Sequence, residues 1–231
     1  MNKALAEIFA RLDAAYDFDG WHWQPNTPRD YICISAVLVQ HTSWSNVERA
    51  LERLQAAGAR SLETVLRLSD EEVAALVRPA GTPLTKARRL HALARVAAEQ
   101  GGLNGLLALP RDELRARLLA THGIGPETAD AIVLYAAGHP VFQIDAYTIR
   151  IVRRLGLGPD GDRYDDWQRW FEEALPPDVD SYRRYHGLIV LHGKQTCRPT
   201  PRCEDCCLLD LCPTGQERAA ATACASISTK P

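Results

Sequence analysis

Between residues 197 and 212 the chain reads CRPTPRCEDCCLLDLC, in which Cys197, Cys203, Cys206 and Cys212 follow the spacing C-x5-C-x2-C-x5-C. Four thiolates this close along a chain, with Pro199 and Pro201 stiffening the first interval, can converge on one soft metal centre. The loop must then close on a single point, a tighter restriction than any apolar pattern imposes. Structural zinc favours two short C-x2-4-C pairs, and only one interval here is short. The N-terminal stretch MNKALAEIFARLDAAYDFDG carries acids and reads as an amphipathic helix, not a signal peptide. An intracellular, cytoplasmic chain is therefore expected, with its seven cysteines reduced, and a cluster of them points to metal more than to disulfides. Cys33 lies in an apolar run and reads as a small core residue, Cys207 pairs with nothing in particular, and Cys224 is a stray.

The rest of the pattern is helical. Apolar residues recur at three- and four-residue spacing, Gly and Pro break them into short stripes, and no alternating strand stands out. An all-α fold is predicted. Residues 3–16 form one helix, and PRDYICISAVLVQHT, apolar nearly all round, forms a central one. Ser45 or Asn46 caps the next helix, Ser61 the one after, Ser69 with Glu72 makes a capping box, and Thr85 caps KARRLHALARVAAEQGG. No run of about eighteen apolar residues occurs, so no membrane span is expected. The formal net charge of −2 gives no global attraction to nucleic acid, and such a partner would need a local basic face.

One turn stands apart. HGIGPETADAIVLYA, from His122 to Ala136, joins two short helices through Gly123-Ile124-Gly125, and Pro126 suits a first helical position. Amides at such a helix start favour an anion, ideally a phosphate, although Gly-x-Gly before a helix is more often an ordinary turn. Eighteen residues beyond Glu127, Asp145 sits where an apolar stretch gives way to a helix carrying Arg150, Arg153 and Arg154. By its position alone it reads as an N-cap.

These features together resemble the helix-hairpin-helix DNA glycosylase superfamily of endonuclease III, over about residues 25–212. The Gly/Pro turn with its following aspartate, the cysteine loop entered by LIVLHGKQTC, and ISAVLVQHTSWSNVERALERL all carry the likeness. WHWQP, QHTSWSNVE and GPETADAIVLYA look closest to the branch that includes the bacterial 3-methyladenine glycosylases. The resemblance implies two helical domains flanking a DNA-binding cleft. Residues 27–137, with the hairpin at about 112–137, form one; residues 1–26 plus 138–213 form the other, and 214–231 are expected to be a disordered tail. It also implies a [4Fe-4S] cluster on Cys197, Cys203, Cys206 and Cys212, although the first interval is one residue shorter than the usual family spacing.

The resemblance assigns further roles. Gln40 fills the gap left by an extruded nucleotide, His41 touches the orphaned base, and His122, Gly123 and Gly125 meet a phosphate. Lys194, Arg198 and Arg202 meet the DNA backbone; by charge, Arg150, Arg153 and Arg154 are expected to offset the loss of DNA affinity from Glu127 near the phosphate grip. Asp145 stabilises an oxocarbenium-like sugar, and Trp21, Trp23, Trp44 or Tyr147 stack on the base if they are not core. Position 127 matches the lysine whose amine forms a Schiff base in endonuclease III, and a carboxylate cannot form an imine. Glu127 reads equally as a second pocket carboxylate or a first-turn acid favouring the helix dipole. Lys3, Lys86, Lys194 and Lys230 are the chain's only lysines, and of these Lys194 is the one substitute amine to consider.

The expected function is a monomeric, monofunctional glycosylase acting on a damaged base in double-stranded DNA. Three alternatives stay open: an oxidised-pyrimidine glycosylase with AP lyase activity through Lys194, a non-catalytic damage-binding protein, and a zinc-dependent DNA-binding module.

Overall fold

A computed structural model of the chain describes residues 3–227, with side chains through Ala221. Among the described residues every regular element is helical, and no helix is long and apolar enough to cross a membrane. The chain forms two compact units. Residues 22–140 make one, and residues 1–21 with 141–231 make the other. The boundaries anticipated at 27 and 137 fall a few residues inside the first of these. Helix α1 (Lys3–Ala15) opens the second unit, burying Leu5, Ile8 and Leu12 at helical spacing.

The middle unit is built around α2 (Arg29–Leu38), whose residues Ile32 through Leu38 are all buried. The indole of Trp23 donates to Ser35 Oγ at 2.9 Å, so the one polar side chain on that buried run is satisfied. Helix α3 (Trp44–Ala56) presents Val47, Ala50 and Leu54 inward. It begins after Ser43, not at the Ser45 or Asn46 cap anticipated from sequence. As expected, Ser61 caps α4 (Leu62–Val65) and Ser69 with Glu72 makes a reciprocal capping box before α5 (Asp70–Val77); Thr64 makes the Ser61 cap reciprocal as well. Helix α6 (Pro83–Glu99) starts two residues before the anticipated Thr85 cap, because Pro83 occupies a first-turn position that needs no N–H. It buries Leu90 and Leu93, each contributing roughly 1.5–3 kcal/mol by removal from water.

Helices α7 (Leu103–Leu107), α8 (Arg111–Ala120) and α9 (Pro126–Ala131) complete this unit. Beyond α9 the same rod continues as a π-helical stretch, Ile132–Ala136, in which Ala137 N–H donates to Ile132 O at 3.0 Å. All five of its residues are buried. The stretch closes at Gly138, whose φ of +73° lets His139 N–H return to Val133 O.

The second unit resumes with α10 (Ala146–Arg154), α11 (Tyr164–Ala174), α12 (Val179–Gln195) and α13 (Pro213–Ile227). Tyr185 on α12 donates to Leu5 O of α1 at 2.9 Å, and Phe142 stacks on Phe171 of α11 with centroids 4.1 Å apart. The segment after Cys212, anticipated as a disordered tail, is helical over Pro213–Ile227: its alanines favour helix even without an apolar stripe. The Cys224 side chain and residues 228–231, Lys230 among them, lie outside what is described.

Candidate functional site

The hairpin turn owes its shape to Gly123. Its φ is +79°, and the side chain of Arg89 packs where a Cβ would stand, so a larger residue meets both backbone strain and a clash. Gly125 is different: its φ of −89° suits any residue and its surroundings are open. Only one of the two glycines is therefore required by conformation. The two helices of the hairpin are clamped by an ion pair that the sequence reading did not identify. Arg115 on α8 donates through Nε to Asp130 Oδ1 at 2.7 Å and through Nη2 to Oδ2 at 3.2 Å, with Asp130 fully buried on α9. An acid inside the apolar run ADAIVL was the signal, since a buried carboxylate requires a partner.

Gln40 packs against this turn. Its amide Nε2 donates to Gly123 O at 3.1 Å and to Thr128 Oγ1 at 2.9 Å, while Arg89 donates to its Oε1. The residue expected to reach into DNA is thus engaged with the hairpin, and the next residue, His41, is exposed with φ at +55°. A non-glycine residue in that region is uncommon and marks the loop tip as constrained. Lys86 is buried, its ammonium donating to Leu38 O at 2.6 Å and to Ala80 O. Burial, then the neighbouring Arg89 cation, pulls its pKa down to about 8. A depressed pKa is what a nucleophilic lysine needs, but this amine closes the ends of two helices inside the core. His122 and Glu127 are exposed, and Glu127 occupies the first turn of α9, where the helix dipole favours an acid.

Asp145 caps α10. Its Oδ1 accepts from Thr148 N–H at 2.7 Å and from Thr148 Oγ1 at 2.8 Å, and Oδ2 faces His186 Nε2 at 3.5 Å. The carboxylate is 8% exposed and His186 only 2%. Burial pushes its pKa up, but the imidazole of His186 and then the Thr148 donors outweigh it, and the group is held below the usual carboxylate range. His186, in SYRRYHGLIVLHG, was not singled out from sequence; it lies on the buried face of α12.

The cysteine segment folds back on α10 and α12. Cys197, Cys203, Cys206 and Cys212 line one recess without meeting at a single-ion site among the described residues. Cys206 Sγ accepts from Leu208 N–H at 3.4 Å and Cys212 Sγ from Gly215 N–H at 3.3 Å. Backbone donors aimed at sulfur suit thiolates that carry charge to a metal group, so the residues present fit a cluster. Two arginines anticipated to balance charge near DNA instead hold this loop. Arg150 donates to Cys197 O at 3.1 Å and Gly193 O at 3.0 Å; Arg154 donates to Cys197 Sγ at 3.2 Å, Arg198 O at 2.7 Å and Pro199 O at 2.9 Å. Arg153 pairs with Asp162 at 2.6 Å. Unmet carbonyls at a helix end and in a tight loop draw guanidinium groups more strongly than solvent does. Lys194, Arg198 and Arg202 are exposed around the loop.

Of the aromatic residues considered for base stacking, Trp21 and Trp23 are buried, and Tyr147 packs on Gly193 beneath Arg150. Trp44 is partly exposed and stacks on His22, with centroids 3.4 Å apart and planes at 19°. Asp145, His186 and the cysteine loop belong to one unit, whereas Gln40, His41, His122, Gly123, Gly125 and Glu127 belong to the other.

A profile described as the HhH-GPD superfamily of base excision DNA repair proteins matches residues 34–177. A Methanocaldococcus jannaschii protein assigned as a DNA repair glycosylase is 37% identical over 194 residues, covering 83% of this chain and 88% of that one. The crystal structure of H. pylori 3-methyladenine DNA glycosylase bound to 1,N6-ethenoadenine is similar with a TM-score of 0.73 and 27% identity, over 84% of this chain and 98% of that one. A non-covalent endonuclease III–DNA complex shares the fold with a TM-score of 0.78 at 23% identity, over 95% and 99% of the two chains.

Proposed function

Because the chain belongs to the HhH-GPD superfamily of base excision DNA repair proteins, we propose that this DNA glycosylase is monofunctional, hydrolysing the bond between a damaged base and its sugar in duplex DNA without cutting the strand. Two observations carry the reading together: Glu127 stands in the first turn of the hairpin helix, and Asp145 is buried with its pKa held below the usual carboxylate range. The first removes the usual amine. The second supplies a negative charge where a cationic sugar needs it.

The reaction begins when the damaged nucleotide leaves the stack, at a cost of a few kcal/mol that is least for a weakened pair. The C1′–N bond breaks with its electron pair passing to the base. A purine alkylated at N3 or N7 carries positive charge and departs neutral, so no general acid is required, whereas a neutral lesion such as 1,N6-ethenoadenine departs neutral by taking a proton on its ring from water. The oxocarbenium-like sugar is stabilised by the Asp145 carboxylate in a site where water screens little. Water adds through its oxygen to C1′, and its proton passes to Asp145 Oδ2 and then to solvent.

The hairpin amides and exposed Lys194, Arg198 and Arg202 would meet phosphates, which position the protein without reading sequence. Cys197, Cys203, Cys206 and Cys212 would hold a [4Fe-4S] cluster, whose contribution is to fix the loop that presents these basic residues. The H. pylori relative, bound to an etheno-adenine, supports a modified purine as substrate, and the partly exposed Trp44 offers a ring of the right kind to stack on one.

Mass spectrometry of bases released from duplexes containing one alkylated purine, one 1,N6-ethenoadenine or one oxidised pyrimidine tests this. Release of a modified purine with the strand intact is expected. Release of the oxidised pyrimidine with strand scission would favour the lyase reading, and lesion binding with no released base would favour a damage-binding protein.

A further inference from the structure

An ionised carboxylate offers about four acceptor positions. Thr148 fills both on Asp145 Oδ1, one with its N–H and one with its hydroxyl. Nε2 of His186 stands 3.5 Å from Oδ2. With that contact made, a single acceptor position remains on the whole group, and it lies on the oxygen that takes the water's proton. The imidazole is itself held. Trp21 meets it edge-on with centroids 5.9 Å apart and planes at 78°. The following residue is Gly187, where a Cβ would stand 3.1 Å from Trp21 Cδ2, so α12 approaches the Trp21 ring as closely as backbone allows.

We propose that His186 is the positioning residue for Asp145: its Nε2–H occupies one lone pair of Oδ2 and so aims the remaining one at the water that attacks C1′. The inference rests on the reading of Asp145 given above. A buried acid capped only by Thr148 is anchored through one oxygen and can still pivot about that anchor, which swings Oδ2. The imidazole removes that freedom without touching substrate. The 3.5 Å separation is loose for a hydrogen bond, and catalytic contacts of this kind commonly tighten when substrate closes the site.

The test compares His186→Gln, which keeps an N–H donor, with His186→Met, which has similar bulk and none. Single-turnover excision from a duplex containing one 1,N6-ethenoadenine is measured beside the affinity for that duplex, with Asp145→Asn as control. His186→Met is expected to lose about 100-fold in rate with affinity within about 3-fold of wild type, the range seen when one preorganised donor is removed. His186→Gln is expected to recover at least about ten-fold of that loss. Equal rates for the Gln and Met variants would overturn the inference, as would a parallel loss of affinity. Should Asp145→Asn keep wild-type rate, the catalytic reading itself falls, a separate result. A second measurement needs neither substrate nor a stable His186 variant: in ¹⁵N-histidine NMR of the whole protein, the His186 Nε2 signal is expected as a protonated nitrogen that shifts in Asp145→Asn. A His186 signal identical in the two proteins would overturn the inference whatever the activity shows.

Discussion

Burial alone would push the pKa of the Asp145 carboxyl group up. His186 and Thr148 reverse that balance, and the sign has a consequence for stability. A group whose pKa is lowered by folding contributes stability above its unfolded value, near about 3.9 for Asp, and loses it as pH falls through the folded value. Relative to Asp145→Asn, wild type should therefore lose stability as pH drops below about 4 and show a constant difference above it. Urea unfolding at stepped pH measures this, and a difference that grows on acidification would contradict it. Glu127 makes a second prediction. A lysine introduced there supplies the amine that the native side chain denies, so Glu127→Lys should form a borohydride-trappable adduct with an abasic duplex while wild type forms none. Gel-resolved covalent product decides between them.

The hairpin is an element held from inside. Removing one partner of a buried ion pair leaves the other charge stranded, and Asp130→Ala should cost about 3–5 kcal/mol in unfolding free energy. Replacing both partners, as Arg115→Met with Asp130→Leu, should restore most of that loss. A single-variant effect under about 1 kcal/mol would show that the clamp is dispensable. The turn's glycines should separate as well. Gly123→Ala must strain a positive φ and displace Arg89, destabilising by more than about 1 kcal/mol, while Gly125→Ala should be nearly neutral in thermal unfolding. Arg89 also holds Gln40, so only the first substitution should weaken lesion binding. Helical spacing in the sequence marked α2, α8 and the rod after Pro126 because three-to-four periodicity is a local property. It did not show that Ile132–Ala136 widens to a π-helix, since apolar spacing alone does not distinguish the two when every face is buried.

At the scale of the whole chain, the grip and the acid are carried by different units, each folded around its own core. The cysteine spacing, the Gly/Pro turn and the Asp145 cap were legible because each is a short-range pattern with few chemical explanations. What the sequence hid were long-range partners: His186 lies 41 residues from Asp145, and Arg150 and Arg154 lie more than forty residues before the Cys197 to Pro199 carbonyls they bind. An arginine on an amphipathic helix faces water by default, and nothing nearby announces that a loop will return to it. Loss of the cysteine loop should be felt as loss of this unit: Cys212→Ser is expected to reduce bound iron and sulfide and to lower the unfolding temperature, whereas Cys207→Ser should change neither. Hydrolysis without strand scission is what separates a monofunctional glycosylase from a lyase. The measurement that bears on it most directly is a single-turnover incubation with a duplex carrying one 1,N6-ethenoadenine, resolved on denaturing gels with and without alkali. Strand breaks that appear only after alkali, and vanish in Asp145→Asn, are the predicted result; breaks formed by wild type before any alkali is added would contradict it.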